Sequence, residues 1–148
     1  MPTTNSCNVV QTPSNTFVRY DEMVAFTPTI SGTTVAGVGT YTTQVGFYTR
    51  IGNQVFVTAN VVWTAHTGTG NMLLTALPFT VRNTASYTPA GIVNEANFPT
   101  GAGVLYLIAE FTINTTQAAI QGVRSNNTNL ATVIDPAATL RVNGWYTV

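Results

Sequence analysis

Between Gln44 and Phe79 the chain alternates apolar and polar residues with the period of β structure. Val45, Phe47 and Ile51 come before Gly52-Asn53, and Val55, Val57, Ala59, Val61 and Trp63 follow at every second position, the spacing of a half-buried strand. Gly52 and Asn53 tolerate positive φ, so the spacing predicts a two-residue hairpin. A glycine-rich connection, Gly68-Thr69-Gly70, leads to a third strand that ends in Leu77-Pro78-Phe79. Further on, Gly103 to Ile113 is predicted as the strongest strand of the second half. Leu105, Leu107, Ala109, Phe111 and Ile113 make one face and Val104, Tyr106, Ile108, Glu110 and Thr112 the other, so both faces are largely apolar. Three shorter strands are predicted at Ala118 to Arg124, Leu130 to Ile134 and Leu140 to Val148, with turns at Asn126-Asn127 and Asp135-Pro136. Val81 to Pro99 reads as a turn-rich interruption, and no segment holds a helical period with caps.

Short strands separated by turn signals predict an all-β fold, an antiparallel β-sandwich or jelly-roll-like single domain. Residues 1–38 carry Pro2, Pro13 and Pro28 among apolar pieces without sustained period, which predicts an extended N-terminal arm before a β-sandwich domain at 39–148. A sandwich uses one apolar face per strand. The second apolar face, with Val104, Tyr106, Ile108 and Glu110, and the mixed Phe56 and Val62 face then need a partner, and a subunit interface is the simplest one. Glu110 is expected to pair with an arginine at that wet interface. The alternative is that the arm or loops of the same chain cover these strands.

The run Tyr48-Thr49-Arg50-Ile51-Gly52-Asn53-x-Val55-x-Val57, then Val62-Trp63, Gly68-x-Gly70 and Leu77-Pro78-Phe79, resembles a small β-sandwich module on the virion surface of tailed bacteriophages. Such modules occur as capsid decoration (cement) proteins and as tail-fibre head domains. The resemblance covers about a quarter of the chain. It implies a compact sandwich, commonly a homotrimer, that attaches to a virion or a host surface. Under it, the first expectation is a non-enzymatic decoration protein on the phage major capsid protein, with Phe17, Arg19 and Tyr20 on the attachment arm. The alternative is a receptor- or glycan-binding head using exposed aromatics and the amides of Asn71, Asn83 and Asn97. A trimeric jelly roll of the C1q kind is a third reading.

Composition narrows the chemistry. Of 148 residues 45% are hydrophobic but only 7% charged, against roughly 25% charged in an average soluble domain. There is no lysine, and five arginines balance five acids, so no basic footprint for nucleic acid exists. A net charge of zero gives little protection against self-association. Cys7 is the single cysteine, which rules out an intrachain disulfide. Neither an apolar run of membrane-spanning length nor a basic-apolar leader is found, so no membrane partner is expected and assembly in a cytoplasm is, which under the resemblance means a virion assembled in the host cytoplasm. His66 has no cysteine or second histidine nearby to form a metal set, and no Gly-x-Ser-x-Gly turn accompanies it. Asp21, Glu22, Glu95, Glu110 and Asp135 form no spacing that points to glycoside hydrolysis, and no Asp-rich calcium loop is present. No enzyme activity, cofactor or metal is expected.

Overall fold

The computed structural model describes residues 8–11, 17–96, 104–125 and 129–148. Its strands are β1 (Asn8–Gln11), β2 (Phe17–Phe26), β3 (Thr29–Gly32), β4 (Gly39–Ile51), β5 (Gln54–His66), β6 (Met72–Thr75), β7 (Ala90–Ala96), β8 (Val104–Phe111), β9 (Ala118–Arg124), β10 (Asn129–Ala131) and β11 (Ala138–Thr147). All pairings are antiparallel, and no helix occurs among the described residues. One hydrogen-bonded path runs β1-β2-β4-β5-β11-β7-β8-β9-β6-β3, with β10 beside β9, and the sheet curls into a half-barrel. The all-β antiparallel single-domain expectation holds, with one continuous sheet curled around its own core.

The hairpin forms where its residues dictate. Gly52 has φ 59°, and Ile51 pairs with Gln54 across the turn. On β5, Val55, Val57, Ala59, Val61 and Trp63 are all buried, in one core cluster with Leu140, Val142 and Tyr146 of the adjacent β11, Ala109 and Phe111 of β8, and Leu74 of β6. The Trp63 indole N–H donates to the Asp135 carbonyl at 2.9 Å, so the polar atom of the core's largest side chain is satisfied.

Curling brings the edge strand β3 against β4 and β5. The Ile30 N–H donates to the Tyr41 hydroxyl at 3.0 Å, and that hydroxyl lies 3.2 Å from the Ile30 carbonyl. Gln44 Nε2 donates to the Pro28 carbonyl at 3.1 Å. The Gly68 N–H donates to His66 Nδ1 at 2.9 Å, so the proton sits on Nε2, which faces the Ile30 carbonyl at 3.1 Å. Side chains thus occupy the backbone groups that an open edge would offer to another strand.

Four sequence readings change. Val45 and Ile51 are 45% and 49% exposed, because the buried side of β4 carries Gly46, Tyr48 and Arg50 instead. Phe26 fills the space over Gly46, where a Cβ would meet its ring at 2.6 Å. On β8 the register shifts between Val104 and Tyr106, so Val104 packs toward the core and Leu105 is 65% exposed, the reverse of the simple alternation. The turn-rich stretch after Phe79 contains β7, which lies between β11 and β8. Within the segment expected as an arm, β2 pairs with β4 and β3 pairs with β6. A register shift between Asp21 and Val24, with Met23 at φ 49°, breaks the alternation of β2 and hides it from a periodicity reading. Cys7, Asn97 and the Asn126-Asn127 turn lie outside the described residues.

Candidate interaction surface

Residues opposite one another across a ladder share a face, so the registers define the outer side of the sheet. One row crosses six strands: Phe47 lies opposite Thr58, Thr58 opposite Asn143, Asn143 opposite Ile92, Ile92 opposite Ile108, and Ile108 opposite Gln121. Two residues nearer the Gly52-Asn53 hairpin, Thr49, Phe56 and Trp145 form the next row. On the other side, Val45, Asn60, Arg141 and Asn94 form a third. Ile92 is 76% exposed, Tyr106 57% and Trp145 47%. These large apolar groups stand among neutral polar ones: the Thr58 hydroxyl donates to Asn143 Oδ1 at 3.0 Å.

Arg141 of the third row and Glu110, two residues beyond Ile108 on β8, are two charged side chains of this face, and each is matched within the chain by a neutral amide. Arg141 Nη1 donates to Asn94 Oδ1 at 3.3 Å, and Gln121 Nε2 donates to Glu110 Oε2 at 2.6 Å. The arginine expected beside Glu110 is therefore not supplied by its own sheet neighbours. Among the described residues the ion pair present is Arg19 with Asp21, at 2.8 Å.

That pair belongs to an internal cluster. Asp21 is buried at 8% exposure, and the guanidinium carbons of Arg19 and Arg50 stand 5.3 and 4.7 Å from the centre of the Phe79 ring. Tyr48 meets the same ring edge-on at 5.1 Å. Arg50 Nε donates to the Gly52 carbonyl at 2.7 Å, which ties the hairpin to the cluster. Tyr146 completes it from β11, and burial pushes its hydroxyl well above the ordinary tyrosine range against the opposing pull of the Phe79 backbone hydrogen bond. The Leu-Pro-Phe segment is clamped onto the sheet by these contacts, so the cluster reads as structural cement within the chain.

Of the residues singled out from sequence, Tyr106, Ile108 and Glu110 do share the outer face, whereas Val104 turns toward the core. Phe17 opens β2, with Arg19 and Tyr20 following on the same strand between β1 and β4. Arg19 is engaged with Asp21 and Phe79. Asn71 stands at a bridge with Val133, and Asn83 is exposed in the loop that follows Phe79. Ile92, Asn94 and Arg141 escaped sequence reasoning, because their place on the face depends on β7 and β11 pairing across a long sequence separation. Among the described residues no three His, Cys, Asp or Glu side chains converge in a way that would hold a metal.

No family model matches the chain, and no curated protein does either. The fold is similar to part of the crystal structure of the Dettilon tailspike protein gp208, with a TM-score of 0.67 over 84% of this chain at 17% identity. The chain spans 23% of that tailspike's length, so the likeness concerns one portion of a much larger protein and is one of fold.

Proposed function

We propose that this chain is a non-enzymatic structural module of a phage virion surface, a protein that works by assembly and not by chemistry on a substrate. The observation that carries this reading is the outer face itself, a multi-strand surface of apolar and uncharged polar groups, on a fold shared with a portion of a tailspike protein. A soluble protein that acted alone would gain nothing from exposing Ile92, Tyr106 and Trp145 on one sheet. One reading, suggested by likeness of fold alone, is a place on the tail. Decoration of the capsid, the first expectation from sequence, is the second reading, for which an outer face with few charges is suited to packing on a protein lattice.

Electron microscopy of purified particles labelled with an antibody to this chain tests the proposal and separates the two locations. Label at the tail supports the first reading, and label distributed over the head supports the second. Particles that carry none of the protein would contradict both.

A further inference from the structure

We infer that the outer sheet face is a self-association surface, on which Arg141 of one copy meets Glu110 of the next around an axis passing in front of Ile92. The inference does not depend on where in a virion the chain resides. It rests on the placement of three residues. Ile92 of β7 lies opposite Asn143 of β11 on one side and Ile108 of β8 on the other. Arg141 lies opposite Asn94, two residues along β7 in one direction, and Glu110 lies opposite Ala90, two residues along in the other. The two charges therefore stand on β11 and β8, the strands flanking β7, at opposite ends of a diagonal whose midpoint is Ile92.

The diagonal spans about two interstrand spacings, or roughly 10 Å, and about four residues of rise, or roughly 13 Å, so the two groups are too far apart to pair within one chain. A rotation axis parallel to the face, in front of Ile92 and perpendicular to this diagonal, exchanges its two ends between copies. Ile92 then meets its equivalents at the axis while Arg141 of each copy faces Glu110 of its neighbour. The same relation closes a dimer or the trimer expected from sequence. The other positions of these rows are apolar or neutral polar, Phe47, Phe56 and Trp145 beside Thr58, Asn60 and Asn143, so no like charges meet in them. A second copy thus supplies both missing opposite charges at once. A neutral glycan stacked on Phe56 and Trp145 would leave both unpaired.

The test is a charge exchange in the full chain, read by size-exclusion chromatography with light scattering over a dilution series, with circular dichroism confirming the fold of each variant. Wild type is expected to form a dimer or trimer. Arg141→Glu and Glu110→Arg should each raise the concentration for half-assembly by about tenfold or more, because each sets like charges against one another. The double variant restores the opposite pair in reversed order and is expected to assemble within about threefold of wild type. Ile92→Asp should disrupt assembly without a charge partner to rescue it. A wild type that stays monomeric throughout would overturn the inference, as would a double variant no better than the single ones or an oligomer indifferent to Ile92→Asp. Monomers whose Trp145 emission shifts on addition of a soluble oligosaccharide would assign the face to glycan instead.

Discussion

The hydroxyl of Tyr146 on β11 lies 3.1 Å from the carbonyl and 3.3 Å from the N–H of Phe79, occupying both backbone groups of one loop residue. The Tyr146 ring meanwhile packs 5.1 Å from Phe111. One side chain therefore joins the loop, the central strand and the core. Tyr146→Phe keeps the packing and abandons the two backbone groups, which is expected to lower stability by about 1 to 3 kcal/mol. Urea unfolding should show a lower midpoint with an unchanged slope.

The same hydroxyl predicts an alkaline dependence. Burial holds its pKa above the ordinary 10.0, so the folded chain keeps the proton that the unfolded chain releases. The stabilisation is complete below about pH 10 and declines as pH rises past it. Unfolding free energy should fall more steeply with pH above that point in wild type than in Tyr146→Phe, as urea titrations at a series of alkaline pH values will measure.

Tyr41 guards the sheet edge. Replacing it with phenylalanine removes the hydroxyl from the Ile30 N–H and carbonyl. The expected effect is local: amide exchange at Ile30 accelerates strongly while global stability changes by about 1 kcal/mol. Hydrogen exchange resolved by residue distinguishes this from a general loosening of the core.

Close backbone approach sets a third site. A Cβ at Gly91 would lie 2.7 Å from the Asn143 carbonyl oxygen and 3.1 Å from Gly144 Cα, atoms that cannot move aside without disturbing the β7 and β11 ladder. Gly91→Ala is expected to destabilise the chain by about 1 to 3 kcal/mol and to deprotect the amides of β7 first. Thermal unfolding and hydrogen exchange together check both parts.

Legibility followed locality. Val55 to Trp63 alternate so regularly, and Gly52-Asn53 turns so specifically, that the central hairpin and the all-β class are written in adjacent residues. β9 coincides with its predicted Ala118 to Arg124 bounds. Reading failed where one position was displaced, as at the irregularity after Asp21 in β2 and at Val104 in β8, because a shift of one residue puts the side chains on its two sides out of phase. It failed also at β4, whose inner side is completed by Phe26 from another strand over Gly46. The outer face was half visible. Tyr106, Ile108 and Glu110 announce a second apolar side of β8, but Ile92 and Arg141 join them only through the order β11-β7-β8, which no local pattern encodes.

A surface that works by assembly is covered in the assembled state. Hydroxyl-radical footprinting of purified particles against the isolated, diluted chain measures this directly, since Trp145, Tyr106 and Ile92 are all well exposed in a single copy. Strong protection of these three is expected in the particle, with Val38, 76% exposed and on a separate loop, labelled alike in both states. Equal labelling of Trp145, Tyr106 and Ile92 in particle and isolated chain would contradict it.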